Sequence, residues 1–348
     1  MSNLIIRADA STAIGTGHVM RCLAVAQGWQ EQGGKVTFVM AGTTPSAEES
    51  INADGMDIIY HSTKAGSHED AYKTGKIAEQ NGAEWVVVDG YLFDAEFQRL
   101  LKDNGLKILF IDDFGHADYY SADLVLNQNI YANDTYYKKR AVYTKLILGT
   151  QFALIRKEFL KWKNWHRRIP RIAKKILVSL GGSDPENVTS MVLDALGSVT
   201  VNGIEVKVIV AKNNPNNQKM QQKIISSHFT GDLIVNARDM PELMSWADLA
   251  ISAGGSTNLE LAFMGLPGIT INHAQNQVLN SEILDQFGVI KNLGWFEKLK
   301  PDDISLALMD VIKSEDLRKQ MAEKGRILVD GGGSKRVIEC ITGERNAS

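Results

Sequence analysis

One histidine stands where main-chain amides and a proton acceptor can serve the same ligand. Positions 8–18 read Ala8-Asp9-Ala10-Ser11-Thr12-Ala13-Ile14-Gly15-Thr16-Gly17-His18. A helical pattern follows, with Val19, Leu23, Ala26 and Gln30 at turn intervals and Gly33-Gly34 as its stop. Glycines such as Gly15 and Gly17 ahead of a helix N-terminus let backbone N–H groups close on an anion, and the helix dipole favours negative charge there. The same dipole acts on His18, disfavouring imidazolium and leaving a neutral ring able to accept a proton. The chemistry expected is a general base beside a phosphate site. The plainer alternative is a ring that satisfies a backbone carbonyl.

Two further loops share this plan. Gly181-Gly182-Ser183-Asp184-Pro185-Glu186-Asn187 follows an apolar run at 176–180. Asp184 as N-cap with Pro185 at the first helical position is a good helix start, and the paired glycines are more than a cap requires. Positions 252–260 repeat the order of strand, two glycines, hydroxyl residues and helix. Thr257 and Glu260 have capping-box spacing, and a glutamate at that point is also placed to accept hydrogen bonds from ribose hydroxyls. Each loop is a weak signal; the three together point to a phosphorylated ligand of nucleoside diphosphate size. A dinucleotide fingerprint is disfavoured, because its third glycine would fall on Met20 and no acidic residue stands in Ala41-Gly42-Thr43-Thr44. No two histidines stand four apart with a carboxylate partner, and Asp112-Asp113 reads as a turn, so neither a metal nor another cofactor is expected.

Such loops need strands to launch them. Short apolar runs occur at 4–7, 36–40, 57–60, 85–88, 107–111, 124–126 and 146–148. The rhythm restarts after Lys175 with 176–180, 206–210, 233–235, 249–251 and 268–271, separated by helical segments such as 189–196 and 258–264. Continuously apolar strands alternating with helices imply parallel sheets covered on both faces, and 348 residues fit two such domains. Ligands of these sheets bind beyond the carboxyl ends of the strands. Between the halves, 156–175 holds nine basic residues against one acidic, with Trp162 and Trp165. A solvated linker helix with its tryptophans packed on a domain is expected there; a nucleic-acid or membrane patch is the alternative.

With 38 Lys and Arg against 41 Asp and Glu, no chain-wide field recruits nucleic acid. Cys22 and Cys340 are the only cysteines, which excludes a disulfide scaffold; both are expected to pack. No run reaches the roughly 18 apolar residues of a membrane span, so a cytoplasmic protein is expected.

Arg7-Ala8-Asp9, Ile14 to His18, Arg21-Cys22-Leu23, Val88-Asp89-Gly90-Tyr91, Ile111-Asp112-Asp113, Asp123 to Asn129 and Gly181 to Asp184 together resemble one family. It is the UDP-2,4-diacetamido-2,4,6-trideoxy-β-L-altropyranose hydrolases of bacterial pseudaminic acid biosynthesis, and the likeness covers most of the chain. Ala253-Gly254-Gly255-Ser256, Glu260-Leu261-Ala262 and Gly265-Leu266-Pro267 are also similar to the nucleotide-binding half of the peptidoglycan N-acetylglucosaminyltransferase, a GT-B relative.

The resemblance implies an α/β protein with two Rossmann-like domains facing across a cleft. Residues 1–155 would carry the base and sugar pocket, 156–172 a linker, 173–330 the UDP site, and 331–348 a tail packing back on the first domain. Ala237 and Met240 would border the uracil, and Glu260 would hold the ribose. Gly182, Ser183, Ser256 and Thr257 would cradle the diphosphate, with the Gly15–Gly17 loop closing from the other domain. Asn276 and Gln277 would reach the diphosphate or sugar; His18 is the implied general base, and Tyr91 would lie in the sugar pocket, with a residue larger than Gly90 equally at home before it. The implied catalytic set is His18, Tyr91 and Asn276. The implied reaction is hydrolysis of the anomeric C–O bond of the UDP-linked sugar with inversion. A GT-B glycosyltransferase and a non-catalytic sugar-nucleotide binding module are the alternatives, and no nucleic acid or stable membrane insertion is expected.

Overall fold

The computed structural model describes residues 2–11, 14–181, 184–237 and 239–343, and the chain divides into two units, Met1–Lys157 with Gly331–Ser348, and Glu158–Asp330. The first unit contains β1 (Asn3–Ala8), α1 (Gly17–Glu31), β2 (Lys35–Met40), α2 (Pro45–Ala53), β3 (Asp57–Tyr60), α3 (His68–Gln80), β4 (Ala83–Asp89), α4 (Ala95–Asp103), β5 (Lys107–Ile111), β6 (Leu124–Asn127) and β7 (Lys145–Leu148). The chain leaves it through the four-residue α5 (Lys157–Leu160). The sheet order is β3-β2-β1-β4-β5-β6-β7, with every pair parallel. Period-two alternation explains why these strands read as solid apolar runs. Leu4, Ile6 and Ala8 join the core under α1, while Ile5 joins the core on the opposite face with Val86, Phe97 and Phe110. Gly33 ends α1 at φ +79°, the left-handed conformation that glycine adopts without strain.

The second unit contains β8 (Lys175–Ser179), α6 (Val188–Gly197), β9 (Glu205–Val210), α7 (Asn217–Ser226), β10 (Thr230–Val235), α8 (Met240–Trp246), β11 (Leu249–Ala253), α9 (Thr257–Phe263), β12 (Gly268–Asn272), α10 (Gln275–Gln286), β13 (Ile290–Trp295), α11 (Pro301–Lys313) and α12 (Glu315–Leu328). Its parallel sheet runs β10-β9-β8-β11-β12-β13. β13 gives no apolar run in the sequence because it is an edge strand, with Lys291 and Asn292 in its first half. α13 (Gly333–Thr342) then belongs to the first unit, where Val337, Ile338 and Ile341 enter the α1 core. A Cβ at Gly28 of α1 would lie 3.0 Å from Ile338 Cγ1, so glycine there permits the close approach of α13.

The basic segment after α5 does not form the expected linker helix. Trp162 and Trp165 meet edge to face at 5.2 Å, and the Arg167 guanidinium covers Trp165 while donating to the carbonyls of Met244 at 2.7 Å and of Ala247. That anchoring, followed by Pro170, replaces a regular helix. Cys22 is buried as expected, whereas Cys340 is exposed, on the outward side of α13. Among the described residues, no helix is long and apolar enough to cross a membrane.

Candidate active site

Strand order in the first unit reverses between β1 and β4, so the connections leaving these two strands diverge at the carboxyl edge of the sheet. His18, in the first turn of α1, meets Asp89, the last residue of β4, with Nδ1 2.7 Å from Oδ1. Arg21 follows one turn later. It donates from Nε to Asp89 Oδ2 at 2.6 Å, from Nη2 to Asp89 Oδ1 at 2.7 Å, and from Nη1 to Asp113 Oδ1 at 2.7 Å. Asp113, just beyond β5, also accepts from the Tyr91 hydroxyl at 2.6 Å and from Asn129 Nδ2 at 2.9 Å. Asn127, at the end of β6, donates to the main-chain carbonyl of Asp113 at 2.6 Å. The chain segments that leave β1, β4, β5 and β6 therefore converge on one cluster.

Electrostatics fix the protonation pattern of its acids. Burial disfavours the charge on Asp89, but Arg21 and His18 outweigh it and hold the carboxyl well below the usual range. Asp113 is likewise lowered against its burial by Arg21 and by the Tyr91 hydroxyl. Arg21 is raised, because Asp113 and Asp89 outweigh its desolvation. Burial and the adjacent Asp89 push the Cys22 thiol up, which makes it a packing group and not a nucleophile. Ionised Asp89 fixes the tautomer of His18, with the proton on Nδ1 and the lone pair on Nε2. The His18 side chain is 12% exposed, so its ring is not sealed in the core. Two carboxylates, Asp89 and Asp113, face the one Arg21 guanidinium.

The Tyr91 and His18 rings meet edge to face, with centroids 4.9 Å apart at 82°, and Tyr91 neighbours Phe114 at 5.2 Å and His116 at 5.7 Å. The preceding Gly90 is not exchangeable for a larger residue: its φ is +149° and a Cβ would lie 2.9 Å from Phe93 Cε2. Asp112 and Asp113 divide their work. Asp112 accepts the amides of Phe114 and Gly115 at 2.8 and 3.0 Å, making the expected turn, and Asp113 enters the cluster. Gly15 closes the loop before α1 through a 2.8 Å bond from its amide to the Ser11 carbonyl, at φ +74°. Gly17 opens α1 on the surface, and Thr16 provides no side-chain cap for that terminus. The two functions expected of this loop, amides for an anion and a base, thus sit on consecutive residues.

In the second unit the order reverses between β8 and β11, and both glycine loops leave these strands. Gly182 and Ser183 lie outside the described residues, as does Arg238 between Ala237 and Asp239. α6 starts at Val188, later than the expected N-cap at Asp184 allows. A turn through Pro185 and Glu186 intervenes, and the Asp184 carboxylate caps across it, accepting the amides of Val188 and Thr189 at 2.9 Å. Likewise Thr257 is already helical and Ser256 takes the N-cap position, so Thr257 and Glu260 form no capping box. Ser256 is exposed, and Thr257 and Glu260 are half-buried. The glycine pair has two roles. A Cβ at Gly254 would lie 2.3 Å from Asn272 Oδ1 and 2.4 Å from Ser281 Oγ, whereas one at Gly255 would meet nothing within 4 Å.

Half-buried Ala237 and Met240 follow β10, with Met240 opening α8. Exposed Asn276 and buried Gln277 occupy the first turn of α10, where Gln277 Oε1 accepts the amides of His273 and Ala274 at 3.0 and 3.3 Å. The residues that sequence reasoning leaves out are Asp89, Arg21, Asp113 and Asn129, which hold His18 and Tyr91. One signal for Asp89 is legible afterwards: it is an acid ending a run of buried valines, and burial of such a group requires a cation.

Residues 176–330 match the glycosyltransferase family 28 C-terminal domain. MurG of Acinetobacter baumannii superposes with a TM-score of 0.69 at 16% identity, over 99% of this chain and 100% of that one. Both units are parallel-sheet α/β domains of the GT-B type. The spore coat polysaccharide biosynthesis protein SpsG of Bacillus subtilis is 24% identical over 347 residues, 97% of this chain and 96% of its own. The UDP-2,4-diacetamido-2,4,6-trideoxy-β-L-altropyranose hydrolase of Campylobacter jejuni is 25% identical over 260 residues, 73% of this chain and 86% of that protein. The resemblance seen in the motifs thus extends along most of this GT-B chain.

Proposed function

We propose that the chain is a UDP-sugar hydrolase that cleaves the anomeric C–O bond of UDP-2,4-diacetamido-2,4,6-trideoxy-β-L-altropyranose, a step of pseudaminic acid biosynthesis, releasing UDP and the free sugar with inversion. The observation that carries this reading is the His18–Asp89 pair at the strand-order reversal, an imidazole with its Nδ1 side held by an ionised carboxylate. The name of the Campylobacter jejuni relative supports the substrate.

In this reading, His18 Nε2 takes a proton from a water that attacks the anomeric carbon, and Asp89 stabilises the imidazolium that forms. The bond from that carbon to the bridging oxygen breaks, and both its electrons leave with UDP. Attack opposite the leaving group inverts the centre, and UDP needs no carboxylic acid to depart. UDP is assigned to the second unit: Ala237 and Met240 at the uracil, Glu260 at the ribose, and Gly182, Ser183, Ser256 and Thr257 at the diphosphate. The Gly17 amide is assigned to the charge that grows on the leaving group, and Asn276 and Gln277 to the diphosphate or sugar. Tyr91 is assigned to the sugar.

Hydrolysis in ¹⁸O-water tests the bond choice. The heavy oxygen is expected in the free sugar and none in UDP; label in UDP contradicts the mechanism. The family 28 match favours one second reading, a glycosyltransferase in which His18 deprotonates an acceptor hydroxyl. UDP release that is slow in water and sharply accelerated by a sugar or lipid acceptor selects that reading.

A further inference from the structure

His116 has an acceptor against each of its ring nitrogens. Nε2 lies 3.0 Å from the main-chain carbonyl oxygen of Phe93, in the segment after β4, and Nδ1 lies 3.4 Å from Asp112 Oδ1, just after β5. Asp112 is an acceptor throughout: Oδ1 takes the amides of Phe114 and Gly115, and Oδ2 takes the Tyr120 hydroxyl. Burial disfavours its charge, but His116, Tyr120 and the Gly115 amide outweigh it and hold the carboxyl below the usual range. A carbonyl and an ionised carboxylate only accept, so either neutral tautomer of His116 leaves a bare nitrogen facing an acceptor. Imidazolium alone donates on both sides. The side chain is 9% exposed and Nδ1 is out of contact with solvent, so water cannot stand in for the missing proton. Burial opposes the positive ring, but Asp112, the Phe93 carbonyl and Asp113 outweigh it and raise the group above its ordinary value.

We propose that His116 is a positioning residue, a charged clamp that ties the segment at 90–93 to the segment at 112–117. The first segment carries Tyr91. The second carries Asp113, which holds Arg21, and Arg21 holds Asp89 beside His18. The His116 ring lies 5.7 Å from Tyr91, 5.6 Å from Phe110 and 5.9 Å from Phe114, so the clamp touches the rings of both segments. The titratable groups around it are Asp112 and Asp113 after β5, Tyr91 after β4, and Tyr120 on the other oxygen of Asp112. Two guanidiniums stand nearby with carboxylates of their own: Arg21 on Asp89 and Asp113, and Arg7, over the Phe93 ring, on Asp70 and Asp9. Because the folded value is raised, the clamp is complete below about pH 6.5, the ordinary imidazole value, and is lost as pH rises through the folded one. In the hydrolase reading, on which the effect on turnover rests, losing it shifts Tyr91 and Asp113 against His18.

The test joins two measurements on the full chain. Ring ¹³C–¹H NMR titrates the histidines, with His116 assigned from the signal missing in His116→Gln and His116→Lys, and kcat on the UDP-linked diacetamido sugar is followed from neutral to alkaline pH. His116 is expected to titrate above about 6.5, and kcat of the unsubstituted chain to fall through that same value with UDP affinity unchanged. His116→Gln can donate to the Phe93 carbonyl but carries no charge, and its kcat is expected to be lower on the order of 10–10²-fold at neutral pH. His116→Lys keeps a cation, and is expected to recover most of that loss and to show no fall at the His116 value. A His116 value at or below about 6.5 overturns the proposal, as does a lysine variant no better than the glutamine one. If thermal melts show that either variant does not fold, the unsubstituted chain decides: coincidence of the NMR value with the alkaline fall in kcat supports the clamp, and its absence overturns it. If the chain binds the sugar nucleotide and releases no UDP, the hydrolase reading fails and the variants are compared on Kd. A loss in glutamine that lysine restores then supports the clamp, and any other pattern overturns it.

Discussion

His18 and Asp89 stand 71 positions apart in the chain and 2.7 Å apart in the fold. In the proposed reaction this pairing orients His18 as the base. Asp89→Asn keeps the shape of the acid but lets an amide donate to Nδ1, which moves the ring proton to Nε2 and removes the lone pair. Turnover is expected to fall by about 10²–10⁴ with UDP affinity retained. Steady-state kinetics alongside UDP titration checks both halves of that expectation.

Arg21 bridges two acids with one planar fork, and lysine cannot copy that geometry. Arg21→Lys is expected to fold, to lose on the order of tenfold in turnover, and to let the Asp89 and Asp113 carboxyls rise toward the usual range. Carboxyl ¹³C titration by NMR, in protein labelled at aspartate, reads that rise directly.

The same acids set a pH window. Asp89 and Asp113 are lowered in the fold, so the unfolded chain binds more protons as the solution is acidified. Their contribution to stability is complete above about pH 4, the ordinary carboxylate value, and is lost as pH falls below it through the folded values. Amide exchange of β4 is expected to accelerate below about pH 4 beyond its intrinsic pH dependence, and to do so less in Asp89→Asn. Exchange measured from pH 3 to pH 7 checks the sign.

Gly254 and Gly255 separate folding from binding. Alanine at 254 would push its Cβ into Asn272 and Ser281, at a cost of about 1–3 kcal/mol in the stability of the second unit. Alanine at 255 meets open space, so stability is expected to be unchanged, while in the proposed function UDP affinity falls because the methyl group crowds the diphosphate assigned to the adjoining Ser256 and Thr257. Thermal melts and calorimetric UDP titration of the two variants should give opposite patterns.

Much of this was legible in the residues. Continuous apolar runs marked the buried parallel strands, and the glycine-bearing loops marked their carboxyl ends. β13 was not legible, because an edge strand need not be apolar along its length. The helix starts at Asp184 and Thr257 were misplaced by a few residues, since a cap can act across a turn and a hydroxyl residue can sit inside the helix it was expected to precede. The partners of His18 were invisible for another reason. Asp89, Asp113 and Asn129 come from separate strand ends, and only the strand order brings them together.

The most direct measurement is turnover of the UDP-linked diacetamido sugar by His18→Ala, with UDP affinity measured on the same preparation. Loss of the positioned base is expected to lower kcat by about 10²–10⁴ and to leave UDP binding nearly intact. A variant that keeps near-normal turnover would contradict the assignment of His18 as the base.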